Sequence, residues 1–218
     1  MTVQSHGAYA TQQGVAHGAV PQQPARAGSG GVPRARRLRY AVGDLVVVSG
    51  LPGSGKSTLI RRTVPGLDDR GGPVLRIDSQ DMREQWARRL PAWLPYALYR
   101  PLVRLAHYRG LRDALRSGAS VVVHDCGTLA WVRRRLAQDA RRRGRELHLV
   151  LLDVPPELAL AGQASRGRDV SGYAFARHRR AVGRLIAEAD AGVLPRGCAS
   201  AVVLGRAEVD ALSLIGFD

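Results

Sequence analysis

Residues Gly50-Leu51-Pro52-Gly53-Ser54-Gly55-Lys56-Ser57 satisfy the pattern G-x-x-x-x-G-K-[ST] at every defined position, and Thr58 follows. No other stretch restricts the chain's folding as tightly. The glycines allow consecutive backbone N–H groups to point inward around an anion. The loop must then run into a helix N-terminus, whose dipole favours negative charge. Its flanks agree: the apolar run Leu45-Val46-Val47-Val48 precedes it, and a helical pattern from Lys56 to about Thr63 follows. A merely flexible glycine turn would need neither flank. The segment predicts a nucleotide site in which Lys56 reaches the β- and γ-phosphates and the Ser57 hydroxyl is placed to ligate Mg²⁺.

The rest of the chain supports a soluble enzyme-sized unit. Its 218 residues suit one domain with a tail, and 45 % hydrophobic content supplies a core. Two cysteines, Cys126 and Cys198, form neither a C-x-x-C pair nor a metal-ligand spacing, which excludes a disulfide scaffold and a structural zinc site. No apolar run approaches the roughly 18 residues of a membrane span, and no secretory pattern opens the chain, so the expected location is cytoplasmic. The net charge of +15 favours anionic partners. Lys56 is the only lysine among 33 basic residues. A GC-rich coding composition accounts for the abundance of arginine, but a lysine used once is expected to be needed where it stands.

Residues 1–37 carry paired glutamines, many glycines and alanines and no acidic residue. They lack helical or strand periodicity and are expected to form a disordered tail ending in the solvated basic patch Arg34, Arg36, Arg37 and Arg39. From residue 38 to 218, short apolar runs alternate with amphipathic stretches. Runs at 45–48, 74–77, 119–123, 147–152 and 201–204 read as five strands. Helices are expected over 56–63, about 80–90, a stretch ending near Ser117, 129–143, a segment opened by Pro155-Pro156, and 173–188. Pro91, Pro95 and Pro101 are read as chain breaks. Continuous apolar strands alternating with helices predict a three-layer α/β fold around a mainly parallel sheet.

With Asp78 to Arg83, Asp125, Arg166 and Arg168 added to the phosphate loop, the chain resembles the P-loop kinases of small substrates. Within that superfamily it is most similar to the zeta-toxin, polynucleotide-kinase and chloramphenicol-phosphotransferase group, often labelled AAA-like. The resemblance covers about Gly43 to Leu212. It implies a P-loop NTPase fold with a mobile lid, the use of ATP and Mg²⁺, and phosphoryl transfer to a hydroxyl.

The segment Asp78-Ser79-Gln80-Asp81-Met82-Arg83 ends the second strand, where open sheets bind ligands. A kinase needs a carboxylate there to orient the acceptor hydroxyl and take its proton. The resembling kinases place an acid three positions before a basic residue; here Gln80 stands at that place, with acids on both sides. Asp78 or Asp81 is the candidate base, unless the base and kinase activity are both absent, and Arg83 would face the acceptor. Their structural uses would be a strand-end turn and a helix N-terminal acid.

The run Val121-Val122-Val123-His124-Asp125 ends in an acid as a Walker-B strand does, which makes Asp125 a candidate Mg²⁺ ligand beside Ser57. His124 reads as a hydrogen-bonded strand histidine, and Asp153 as a helix-entry residue. The glycine-flanked basic segment at about 166–172 is the candidate lid, with Arg166 and Arg168 supplied to the transferring phosphoryl group. A solvent-exposed basic loop is the plainer use of that segment. The arginines at 133–135 and 141–145 wrap around a helix and read as a solvated face, so nucleic acid is not favoured as a partner. Trp86, Trp93, Tyr96 and Tyr99 are expected to divide between the core and an acceptor pocket.

The expected activity is transfer of the ATP γ-phosphate to a hydroxyl of a small molecule or nucleic-acid end by a monomer or homodimer. The alternatives are a switch ATPase without an acceptor and a basic nucleic-acid-binding ATPase. Guanine specificity is disfavoured because no [NT]-K-x-D motif exists, and a large hexameric machine because no room remains for its helical domain.

Overall fold

A computed structural model describes residues 36–78, 85–86, 88–91, 93–124, 129–165 and 172–218. The valine- and leucine-rich runs form the main sheet. Its strands are β2 (Leu45–Gly50), β3 (Val74–Ile77), β4 (Ser120–His124), β5 (Leu147–Asp153) and β6 (Ser200–Gly205). The spatial order is β3-β4-β2-β5-β6, and every neighbouring pair is parallel. All of β2 and β4 is buried, as strands covered on both faces must be. Branched side chains suit such pleated, two-sided packing.

Around this sheet lie helices α1 (Lys56–Thr63), α2 (Tyr96–Arg116), α3 (Ala130–Arg141), α4 (Pro156–Ala164), α5 (Gly172–Asp190) and α6 (Arg206–Ala211). The pleat sends alternate residues to opposite cores. Val46 and Val48 pack with Leu59 and Ile60 of α1 and Val209 of α6. Leu45 and Val47 pack on the other side with Leu111 of α2, Leu136 of α3 and Leu185 of α5.

The five expected strands are all present, and two more lie outside them. β1 (Arg36–Tyr40) pairs in parallel with β7 (Leu212–Phe217), forming a separate two-stranded ribbon. Tyr40, Leu212, Ile215 and Phe217 carry this ribbon onto the α1 side of the core. The structure therefore corrects the end of the expected tail: Arg36 and Arg37 belong to a strand. Arg36 bonds Glu208, and Arg39 bonds Asp69, so these two members of the basic patch are ion-paired. The partner strand lies more than 170 residues away in sequence, which explains why local pattern does not reveal it.

Two smaller expectations also change. Pro101 does not break the chain but lies inside α2. Its missing N–H removes one helical bond, which the long packed face of the helix outweighs. Arg133 is not part of a solvated face: it is 3 % exposed, and its Nε donates to the Arg196 carbonyl at 3.3 Å.

At the amino ends of the strands, Asp44, His148 and Ser200 form a buried connection. His148 Nε2 lies 3.0 Å from Asp44 Oδ2, and its Nδ1 lies 2.8 Å from Ser200 Oγ. Asp44 Oδ1 also accepts the Glu146 N–H at 2.9 Å. This pins β2, β5 and β6 in register and leaves their carboxyl ends to carry the site.

Candidate functional site

The phosphate loop connects the end of β2 to the start of α1. Gly53 and Gly55 adopt φ values of 85° and 90°, in the left-handed region that glycine enters without strain. Gly55 caps α1 with no side-chain hydrogen bond, and no acid lies in the first turn. The first N–H groups of α1 thus receive no side-chain oxygen at the N-cap, and their partial positive charge faces the loop.

Lys56 is 4 % exposed. Its Nζ donates to the carbonyls of Gly50 at 3.0 Å and Leu51 at 2.7 Å, and lies 3.5 Å from Ser54 Oγ. A buried ammonium at an uncapped helix start fits a polyanionic phosphate group. The residues present therefore fit a nucleotide. Ser57 is buried beside Lys56, and Thr58 is exposed on the far side of the turn.

Strand order brings the candidate acid to this loop. β4 lies between β3 and β2, with Val123 opposite Ile77 and His124 opposite Val48. Asp78, the residue after β3, thereby reaches His124, the last residue of β4. His124 Nδ1 donates to Asp78 Oδ1 at 2.6 Å, and Ser57 Oγ lies 3.5 Å from the same nitrogen. The carboxylate, the imidazole and the loop hydroxyl form one line across three neighbouring elements. The Asp78 side chain keeps 18 % of its surface exposed, whereas that of His124 keeps 7 %. The expectation of a hydrogen-bonded strand histidine agrees with this geometry, although its partners were not legible in the sequence. Asp81, Arg83, Asp125, Arg166 and Arg168 lie outside the described residues.

One contributor has no sequence motif. α4 packs directly on the loop, where a Cβ added to Gly53 would come 2.0 Å from the Ala159 carbonyl oxygen. A Cβ added to Gly162 would come 2.6 Å from the Gly53 carbonyl oxygen. Gln163, 6 % exposed, donates its Nε2 to the Pro52 carbonyl at 2.9 Å. The only available signal was the small-residue spacing Ala159 to Gly162 after Pro155-Pro156. Asp153 ends β5 with an exposed side chain, two residues before the N-cap Pro155. Among the described residues, no group of three or more His, Cys, Asp or Glu side chains forms a metal cluster. No described helix is long and apolar enough to cross a membrane.

Comparison with known proteins agrees with the fold. A protein from the PezAT chromosomal toxin-antitoxin system of Streptococcus pneumoniae superimposes with a TM-score of 0.52 at 17% identity, over 81% of this chain and 73% of that one. A proposed kinase from Chloroflexus aurantiacus superimposes with a TM-score of 0.50 at 14% identity, over 75% of this chain and 85% of that one. No curated protein sequence matches the chain. The AAA domain family model matches residues 45–191, from the first residue of β2 to just beyond α5. That match spans more than half of the sequence, and the chain belongs to the AAA domain family.

Proposed function

We propose that this protein is an ATP-dependent phosphotransferase that moves the γ-phosphate of ATP to an acceptor hydroxyl. The observation that carries the proposal is the line Asp78–His124–Ser57, which sets a partly exposed carboxylate beside the phosphate loop. Asp78 is the base in this reading: it orients the acceptor O–H and takes its proton as the new O–P bond forms and the bond from the γ-phosphorus to the β,γ-bridging oxygen breaks, releasing ADP. His124 holds one oxygen of Asp78 and so orients the carboxylate beside the loop. Lys56 leaves its loop carbonyls for the phosphate oxygens and stabilises their charge. Mg²⁺, when bound, neutralises charge on the phosphates; Ser57, with Asp125, would hold it. Arg166 and Arg168 are proposed to face the transferring group, Arg83 the acceptor, and Asp81 is the alternative base.

Gln80, at the position where the resembling kinases carry their acid, favours a second reading: a switch ATPase with no acceptor. Following the γ-phosphate of labelled Mg-ATP separates the two. The acceptor panel should include a 5′-hydroxyl oligonucleotide, nucleosides, nucleotide sugars and aminoglycoside or phenicol antibiotics. Label found in one acceptor and lost in Lys56→Ala supports the kinase. Label released only as inorganic phosphate in a Lys56-dependent reaction supports the switch.

A further inference from the structure

A helix packed on one side of a sheet ordinarily turns charged side chains to water. α2 departs from this rule along half its length. Its inner side carries Val103, Leu111 and Leu115 into the core region. On its outer side Leu98, Leu102 and Leu105 are 68 %, 52 % and 56 % exposed. Their spacing of four and three residues makes a single ridge along the helix. The same face continues toward the C-terminus as Arg109, Arg112 and Arg116, all exposed.

Beside this ridge, α2 and α3 enclose a groove of about 190 Å³ lined by Tyr108, Arg112, Trp131, Val132, Arg135, Leu136 and Asp139, whose carboxylate is paired with Arg142. It is smaller than the roughly 300–1,000 Å³ of a small-molecule pocket and suits one inserted side chain. Trp131 is 61 % exposed at its border. This surface lies on the outer side of the helical layer and is distinct from the phosphate loop.

We infer that the outer face of α2, with the adjoining α3 groove, docks an acidic amphipathic helix of a partner protein. The leucine ridge has the spacing by which helices are read in grooves. The groove would take one protruding apolar side chain of the partner, and the arginines would pair with its carboxylates. Charge selects this occupant over the alternatives. A second copy would bring the same leucines together but set one chain of net charge +15 against another, which opposes their approach. The chain's first 43 residues contain no acidic residue, so they cannot complement the arginines either. A bilayer is too flat to fill the groove, and for nucleic acid the leucine ridge would go unused, since Trp131, not the leucines, offers bases a stacking surface.

The test uses the full chain and two synthetic helical peptides. One carries leucines at positions i, i+4 and i+7 with glutamates elsewhere; the other has every glutamate replaced by lysine. Binding is followed by tryptophan fluorescence and calorimetry. The acidic peptide is expected to bind, and the lysine peptide is not. The charge-neutral double variant Leu102→Gln/Leu105→Gln should weaken binding at least about tenfold, and Arg112→Glu/Arg135→Glu by a similar factor. These residues are exposed and lie outside the phosphate loop, so ATP binding should be retained in both variants. Equal binding of the acidic peptide by wild type and the glutamine variant would mean attraction to net charge alone and overturn the inference. So would preference for the lysine peptide, or a leucine-dependent response only to anionic vesicles, single-stranded oligonucleotide or a second copy of the chain.

Discussion

Gln163 and Pro52 are joined by a side-chain hydrogen bond of 2.9 Å that fastens α4 to the phosphate loop. The donor is 94 % buried, and its loss would leave the part-buried Pro52 carbonyl without this partner. Gln163→Leu should keep the fold and lower affinity for an ATP analogue about fivefold or more, since an unpaired buried carbonyl costs about 1–3 kcal/mol. Titration of a fluorescent nucleotide checks this. Gly53→Ala should be more severe, because it adds both a left-handed φ and a 2.0 Å approach to the Ala159 carbonyl.

Asp78 and His124 are expected to act as one unit. Asp78→Asn should reduce phosphoryl transfer by about 10²–10⁴-fold, the usual share of a general base. His124→Ala alone should reduce it less, while leaving nucleotide affinity nearly intact. In the double variant, the histidine substitution should add almost nothing to the loss. Single-turnover rates for all four proteins test the coupling; additive free energies would show that the two residues work separately.

The main sheet is legible because its strands advertise themselves: Leu45-Val46-Val47-Val48 cannot be anything but buried. The phosphate loop is legible because anion binding restricts residue type at fixed local positions. The line from Asp78 to Ser57 is not legible, since it depends on β4 lying between β3 and β2. Nor is the pairing of Arg36–Tyr40 with Leu212–Phe217, two short segments whose partners are remote. Gln163 escapes notice for the same reason: its role comes from where α4 packs, and nothing in Ala161-Gly162-Gln163 announces it.

The ribbon gives the chain a sharp boundary for truncation. From the tail expected in the sequence, deleting residues 1–35 should leave the melting temperature unchanged, whereas deleting through Tyr40 should lower it markedly. Tyr40 is 7 % exposed, stacks on His148 with a centroid separation of 4.5 Å and meets Phe217 at 6.2 Å. Tyr40→Ala should cost about 3–5 kcal/mol by analogy with other large aromatic truncations. Calorimetry of the full chain, the two truncations and the point variant measures each contribution.

Cys198 supplies a prediction with a pH sign. Burial is the main cause that pushes its thiol from 9.0 up to about 11. In a Cys126→Ser background, thiol-disulfide reagents should react slowly at neutral pH, with the rate rising toward pH 11. The unfolded chain ionises this thiol first as pH rises. Stability supplied by the raised value is therefore present below about pH 9 and lost as pH passes through about 11. Cys198→Ala should flatten this part of the wild-type stability curve.

Arg36 stands opposite Leu212, and Tyr40 opposite Phe217, so the earliest and latest strands described are neighbours. During synthesis β1 must wait for its partner while more than 170 further residues are added. At about 5–20 residues per second, that interval is roughly 9–35 s. Most of the main sheet can assemble meanwhile, but Tyr40, Leu212, Ile215 and Phe217 cannot close the α1 side of its core until β7 arrives. The ribbon couples completion of this fold to translation of β7.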